Sequence, residues 1–285
     1  MSIYLPWLER SNAAANGHSA AIARKLLHGS SVAWFAVALA GQWLFACYIA
    51  LLYLWPVFTG QYLNANQARP ITGFVAGDFS GNLMLFAHLL PAAVLSSCGL
   101  LQLLPQLRQR WPQLHRWNGR LFLTLGLCGA VTGLYLTWVR GSRLSDLGAI
   151  GITLNGLLIP LAVGLAWFYA RQRNFVLHQR FALHSFLLIN GVWTFRLFLM
   201  GWYLLNQGPN GNNDTLDGPA DLILSFACYL LPMAVAELWW HCRRSQQPWL
   251  LWSGAVLMCG GALLTAVGVV AAAMMMWGPR MMALW

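Results

Sequence analysis

Charged residues are scarce in this chain. They make up 8% of its 285 residues, whereas 59% are hydrophobic. A soluble domain normally carries about 25% charged residues. The scarcity of charge excludes a water-soluble globular protein, because most of the molecular surface has to face lipid. The chain also lacks a polar domain that could carry a basic patch, so we expect no nucleic-acid partner despite a net charge of +10.

Sequence motifs typical of thiolate metal sites and of hydrolases are missing as well. No two of the six cysteines form a CxxC motif, and most lie inside apolar runs, where a free cysteine behaves as a small hydrophobic residue. We therefore expect neither a disulfide framework nor a thiolate metal site. The sequence contains no HExxH and no GxSxG motif, which disfavours a membrane protease or lipase.

Long apolar stretches are what the sequence does contain. A transmembrane helix needs about 20 mostly apolar residues, and seven stretches qualify. The predicted fold is therefore an all-α, polytopic transmembrane helical bundle with seven spans. These spans are residues 31–55, 81–104, 121–139, 147–170, 181–204, 221–241 and 249–277.

The distribution of Arg and Lys predicts the orientation, because basic residues collect in cytoplasmic loops. The N-terminus is predicted cytoplasmic. Residues 1–28 form a cytoplasmic N-terminal segment, 29–278 the seven-helix transmembrane domain, and 279–285 a short outer C-terminal tail. The basic residues assigned to the cytoplasmic side are Arg10, Arg24, Lys25, Arg108, Arg110, Arg116, Arg120, Arg171, Arg173, Arg180, Arg243 and Arg244; Arg69, Arg140, Arg143 and Arg280 fall outside.

The predicted fifth span carries several polar residues within its apolar sequence. His178 and Arg196 are eighteen residues apart, which is five full turns at about 3.6 residues per turn, so one straight helix would place them on one face. Ser185 lies near that face, whereas His184 lies about 240° round from His178. Asn190 adds a further polar group to this span.

A second set of candidates lies in the predicted outer half of the bundle. His88 in the second span and Arg196 in the fifth are at similar depth, about 10 Å below the outer surface. Because ionisable residues inside a bilayer are costly, they mark functional sites by default. We predict a polar pocket that holds a quinone headgroup, a haem propionate or another anionic ligand. The alternative is a buried structural pair whose members bond to backbone carbonyls.

A third set lies near the predicted cytoplasmic face. His115, His178 and His184 are candidate ligands of a haem iron or another metal, because imidazole suits Fe, Cu and Zn. The alternative is that these histidines sit at the interface and bond to phosphates, loop carbonyls and neighbouring arginines. In the sixth span, Glu237 lies four residues before His241 on one helical face; Glu237 is either a proton-carrying group or the counter-ion of a nearby arginine.

Several of these residues carry a resemblance to a known family. The run Phe86-Ala87-His88, Gln102, the motif Leu114-His115-Arg116-Trp117-Asn118-Gly119-Arg120 and the span from His178 to Arg196 resemble a bacterial family of unknown function. Its members are multi-pass membrane proteins marked by His-Arg-Trp-x-Gly-Arg. The likeness covers roughly residues 80–200. The family pattern has Trp-Met-x-Arg after the histidine of the fifth span, where this chain has Phe181-Ala-Leu-His184.

The resemblance implies a multi-pass protein of the bacterial inner membrane but no reaction. A weaker likeness links the chain to membrane b-type cytochromes, whose di-haem members place two histidines about fourteen residues apart on each of two helices. Here Gln102 follows His88 at that spacing, so a two-haem arrangement is not expected.

Three functions stay open from the sequence. The first is a membrane redox protein that binds haem b or a quinone. The second is a transporter or a protein that binds a small hydrophobic or anionic ligand, and the third is a structural or assembly subunit of a membrane complex. Besides the lipid bilayer, other subunits are therefore candidate partners. Whether the chain is an enzyme is left undecided by its residues.

Overall fold

A computed structural model describes the backbone of residues 6–61 and 72–284, and the side chains of residues 17–61 and 72–284. The side chains of Arg10 and Arg69, used above for orientation, lie outside these ranges. The described residues are helical and contain no strand, which confirms the all-α prediction. The main helices are α1 (Pro6–Ile49), α2 (Phe79–Cys98), α3 (Pro112–Leu134), α4 (Asp146–Arg171), α5 (Phe175–Ile189), α6 (Gly191–Leu205), α7 (Pro219–Cys242) and α8 (Pro248–Ala272).

Most helices are long and apolar enough to cross a membrane. Six qualify among the described residues, and α5 with α6 forms a seventh span if the two are counted together. These two helices are bent by 56° at Asn190, so the continuous fifth helix that we predicted is wrong. The bend also removes the argument that His178 and Arg196 share one helical face. The polytopic helical fold itself is confirmed.

Local sequence explains where several helices begin. The side chains of Asp78, Ser145 and Asn174 accept hydrogen bonds from backbone N–H groups in the first turns of α2, α4 and α5, which satisfies donors that a helix end leaves free. Pro112 and Pro248 start α3 and α8, because proline at the first helical position lacks only an N–H that would be unpaired there.

The first helix passes residue 28 without a break. Ala23 and Leu27 are 0% and 5% exposed and pack against Leu251 and Ala255 of α8. The helix thus continues through the boundary that we predicted between residues 28 and 29, and that boundary and the cytoplasmic location of the segment stay predictions. At the other end of the chain, a short helix, Gly278–Met282, occupies part of the expected C-terminal tail.

Six helices surround the broken one. α1 packs along α8 and also against α2. The ring of contacts then continues through α2 with α3, α3 with α4, α4 with α7 and α7 with α8. α5 packs mainly against α4, and α6 mainly against α8 and α7. Ser185, Leu188 and Leu197 of the broken helix are at most 2% exposed. The two halves of the broken span therefore contact different neighbours in the interior of the bundle.

The two ends of the bundle differ in charge. We call the end that carries the α2–α3, α4–α5 and α7–α8 connections the basic end, because it holds Arg108, Arg116, Arg171, Arg243 and their neighbours. The other, called the opposite end, holds residues 72–78 and the loop between α6 and α7.

An ion pair organises part of the opposite end. The Arg140 side chain is 5% exposed and its Nε lies 2.9 Å from Asp78 Oδ2. The same guanidinium donates to the Gly73 carbonyl (2.9 Å) and to Asn82 Oδ1 (3.1 Å). A hydrogen bond from the Gly81 N–H and the charge of Arg140 hold the pKa of Asp78 below its usual value. This cluster ties the segment before α2 to the end of the third span.

Candidate ligand cavity at the basic end

The break at Asn190 is built from side-chain amides in the middle of the bundle. Asn190 Nδ2 donates to the Phe186 carbonyl (2.8 Å), and its Oδ1 accepts from Gln42 Nε2 of α1 (2.7 Å). Gly191 follows, and a Cβ there would lie 2.6 Å from Asn155 Nδ2 of α4. The close approach of α4 thus favours glycine at the start of α6. Two neighbouring helices therefore contact the chain at the point where it bends.

A large cavity occupies the half of the bundle on the basic side of this break. Its volume is about 2400 Å³. Its walls are mainly apolar and come from α1, α3 and α5 to α8, with the end of α4 and the segment Gly99–Leu103. Because α5 packs mainly against α4 while α6 packs against α8 and α7, the central span does not fill this half of the interior.

The described residues that line this cavity include cations but no carboxylate. They include six arginines and three histidines: Arg24, Arg108, Arg116, Arg120, Arg171, Arg243, His28, His115 and His178. Burial and the neighbouring charges of Arg244 and Arg108 lower the pKa of Arg243, as expected where like charges gather. Such a rim raises the local concentration of anions.

His178 is held in place by the neighbouring helix. Its Nδ1 lies 2.9 Å from the Ala166 carbonyl oxygen of α4, so Nδ1 carries the proton in this hydrogen bond and Nε2 is the ring nitrogen left for another partner. His115 also lines the cavity, and its Nδ1 is buried without a hydrogen-bond partner. The structure therefore places two of the three histidines predicted as ligands in the wall of one cavity.

The third candidate, His184, lies elsewhere. Its Nε2 is 2.5 Å from Glu237 Oε1 of α7, and it does not line the cavity. Glu237 also forms a two-point ion pair with Arg180, with both N–O distances at 2.7 Å. This arrangement fits the counter-ion alternative for Glu237. His241, its expected neighbour on α7, is exposed and makes no hydrogen bond to it among the described contacts.

The Leu114–Arg120 motif shapes the connection between α2 and α3. Asn118 Nδ2 donates to the Cys98 carbonyl (3.1 Å). Gly119 faces the Gln102 side chain, whose Oε1 lies 3.1 Å from where a Cβ would stand. Gln102 Nε2 is buried without a partner and Gln102 lines the cavity. By contrast, Trp117 is 66% exposed and packs under the Arg120 guanidinium. The motif thus holds the backbone at the end of α2 through Asn118, and its Gly119 leaves room for the Gln102 side chain in the cavity wall.

His88 is a structural contact between helices. Its Nδ1 lies 3.1 Å from both the Gly129 carbonyl and Thr132 Oγ1 of α3. A Cβ at Gly133 would lie 3.2 Å from the ring, so the close packing of α2 on α3 depends on small residues there. His88 does not line the cavity. Its surroundings fit the alternative of a histidine bonded to a backbone carbonyl.

Arg196 contacts a carbonyl of its own helix and an aromatic ring of α1. Its Nη1 donates to the Val192 carbonyl (3.0 Å), and its guanidinium lies 5.3 Å from the centre of the Phe45 ring of α1. Among the described residues no hydrogen bond or ion pair joins it to His88, and it does not line the cavity. Ser185, expected on the same face, donates to the Phe181 carbonyl of its own helix. The large cavity thus lies at the basic end, away from the outer pocket that we predicted.

A metal site with several protein ligands is not formed by the described residues, which contain no group of three His, Cys, Asp or Glu side chains able to hold one ion. The assignments of His115, His178 and His184 as ligands of a haem iron stay predictions.

Two residues in and near the site, one in the cavity wall and one at the break, were not singled out from the sequence. Trp193 lines the cavity and is 7% exposed, and its Nε1 is buried without a partner. Gln42 is 2% exposed and donates a hydrogen bond to Asn190 at the break. Its position in a long apolar run could have indicated a role from the sequence. Nothing in the sequence distinguishes Trp193 from the other fifteen tryptophans.

No curated protein and no solved structure matches the chain significantly. One family does, described as "Predicted membrane protein (DUF2306)", over residues 85–240. That range is more than half of the chain and includes His88, the Leu114–Arg120 motif and the break at Asn190. The His-Arg-Trp-x-Gly-Arg pattern as a family marker and the likeness to b-type cytochromes stay predictions. The predicted membership of a membrane protein family of unknown function is confirmed: the chain belongs to the predicted membrane proteins DUF2306.

Proposed function

We propose that the cavity at the basic end binds one haem b and that the protein is a membrane redox protein. The observation that carries the proposal is His178. It lines a large, mainly apolar cavity with an arginine rim, and its Nδ1 is fixed by the Ala166 carbonyl.

The residues present fit a haem. A ligating histidine usually donates its other ring N–H to a carbonyl or carboxylate, which orients the ring, and His178 has this arrangement. Arginines pair well with carboxylates, so the rim suits the two haem propionates. His178 would hold the group, and His115 is the candidate for a second residue that does so. A bound haem would supply one-electron chemistry; the arginine rim would neutralise its propionates and the apolar walls would exclude water.

The visible spectrum of the detergent-purified protein tests this proposal. We expect a Soret band that His178→Ala abolishes, because that change removes the imidazole that would hold the haem. His241→Ala is the matched control, since His241 is exposed and does not line the cavity, and it should leave the band unchanged. Wild-type protein that shows no Soret band after expression with ample haem supply, or after reconstitution, would rule out the haem.

A second candidate function is transport. The break at Asn190 interrupts a membrane span, and discontinuous helices that line a cavity are a feature of many transporter binding sites. An assembly role within a larger membrane complex is a third hypothesis, with no observation that favours it. We place the protein in the bacterial inner membrane, with its N-terminus in the cytoplasm, on the strength of the family likeness and the positions of Arg and Lys.

A further inference from the structure

The cavity wall between α7 and α8 is open in its middle part. Near the basic end the two helices are in close contact, because a Cβ at Gly254 would lie 2.7 Å from Cys242 Cβ. Towards the opposite end α8 packs against α6, where a Cβ at Gly268 would lie 2.7 Å from Leu197 Cβ. Between these contacts, the added Cβ of Gly261 would meet no atom within 4 Å. We call this stretch, bounded by residues 231–236 of α7 and 256–265 of α8, the lateral opening.

The broken span explains why the opening exists. α6 packs against both α7 and α8 in the half of the bundle near the opposite end, whereas α5 packs mainly against α4. Among the described residues, no third helix therefore fills the stretch between α7 and α8 that lies between the break and the Gly254–Cys242 contact. Leu231, Val256 and Leu264 line the cavity and are 48%, 68% and 53% exposed, so other parts of the described chain leave a large share of these side chains uncovered.

The lateral opening is lined by apolar residues. Its two segments read Leu-Pro-Met-Ala-Val-Ala and Val-Leu-Met-Cys-Gly-Gly-Ala-Leu-Leu-Thr, without a charged side chain. Passing a charged group through such surroundings is costly, whereas a hydrocarbon chain passes from lipid to protein without losing its apolar environment. The opening thus favours a ligand with an apolar tail and an uncharged head.

A polar position lies at the deep end of the cavity, beside the break. Trp193 Nε1 is buried and has no acceptor, although a buried N–H almost always has one. Asn190 and Thr194 line the cavity next to it. α6 begins here, and the N-terminus of a helix carries partial positive charge. An acceptor oxygen on a ligand would satisfy the indole N–H in this place.

We propose that the lateral opening admits a quinone from the membrane. Its ring lies at the deep end with a carbonyl oxygen accepting from Trp193 Nε1, and its isoprenoid tail passes between α7 and α8 into the lipid. A quinone has both required features, an uncharged head with acceptor oxygens and a long apolar tail. The proposal uses the same cavity as the proposed function but does not depend on the haem. The volume of about 2400 Å³ exceeds the roughly 300–1000 Å³ of a site for one small ligand, which leaves room for both.

Equilibrium binding of radiolabelled decylubiquinone to the protein in phosphatidylcholine nanodiscs tests the proposal. We expect saturable binding to the wild type. Gly261→Phe should weaken it at least about tenfold, because the ring would occupy the opening. Trp193→Phe keeps an aromatic, though smaller, side chain and removes the N–H, and should weaken binding about fivefold to tenfold, the range for one buried hydrogen bond.

Two matched variants control for general damage. Gly164→Phe adds the same ring at another glycine that is open to lipid, on α4 and outside the cavity. Trp277→Phe removes the other buried indole N–H without a partner, also outside the cavity. Both should bind decylubiquinone as the wild type does. If Gly261→Phe does not purify as a single species, Gly260→Phe replaces it, since that position is open as well.

The outcomes separate this proposal from the haem proposal. A protein with a Soret band but no saturable quinone binding overturns the quinone site and leaves the haem proposal standing. Saturable binding that both test variants weaken supports the quinone site, whether or not a Soret band is present. Equal affinities in test variants and controls overturn it. So does a phospholipid that mass spectrometry finds retained in the protein and that decylubiquinone does not displace.

Discussion

Asp78 shows how one residue links two distant parts of the chain. Its carboxylate accepts from the Gly81 N–H and pairs with Arg140, which also holds the Gly73 carbonyl. These contacts lower the pKa of Asp78 in the folded protein, so the charged carboxylate stabilises the folded state. This contribution is fully present above the ordinary Asp pKa of about 4 and is lost as the pH falls through the lower folded value.

We therefore expect Asp78→Asn to lower the melting temperature of the purified protein at pH 7. The wild-type melting temperature should fall towards that of the variant as the pH is lowered below about 4. Differential scanning fluorimetry at several pH values measures both effects. Asp214→Asn, in the loop between α6 and α7, is the control for loss of a carboxylate at the same end. Wild type and Asp78→Asn with equal stability at pH 7 would contradict the proposed role of the ion pair.

At the scale of helices, the contact between α6 and α8 decides where the lateral opening ends. A Cβ at Gly268 would lie 2.7 Å from Leu197 Cβ and 2.9 Å from its carbonyl oxygen. The Leu197 backbone belongs to a buried helix and cannot move aside as a flexible side chain could. We expect Gly268→Ala to destabilise the protein by about 1–3 kcal/mol, the usual cost of overpacking.

A control for this prediction lies on the same helix. Gly260→Ala adds the same methyl group in the middle of α8, where no atom lies within 4 Å of the added Cβ. Both changes raise helix propensity equally, so the difference between the two variants reports packing alone. Unfolding in a denaturant series measures it. A Gly268→Ala variant as stable as Gly260→Ala would show that α6 and α8 do not pack as closely as described.

At the scale of the whole molecule, the positive charge gathers at one end of the bundle and around the mouth of the cavity. If the Arg and Lys distribution sets the topology, the cavity mouth opens to the cytoplasm. Reporter fusions after Arg110, Arg173 and Arg244 should then all give a cytoplasmic signal, while a fusion in the loop between α6 and α7 should give a periplasmic one. A periplasmic signal at any of the first three positions would contradict the predicted orientation and place the cavity mouth on the other side.

The sequence predicted the spans well because the requirement is local. About 20 apolar residues in a row suffice to cross the hydrocarbon core, whatever the neighbours are. The candidate site was predicted only in part, because His115 and His178 both line the cavity while His184 pairs with Glu237.

Amino-acid sequence by itself determined the all-helical class, the apolar spans and the uneven distribution of basic residues, since each depends on composition and on short-range order. Tertiary structure decided the rest. At the bend, Gln42 of α1 donates a hydrogen bond to Asn190, and Asn155 of α4 lies close to Gly191. A straight fifth helix was the natural expectation, because the free energy that favours the bend comes from contacts between helices far apart in the chain. The cavity and its lateral opening follow from that bend.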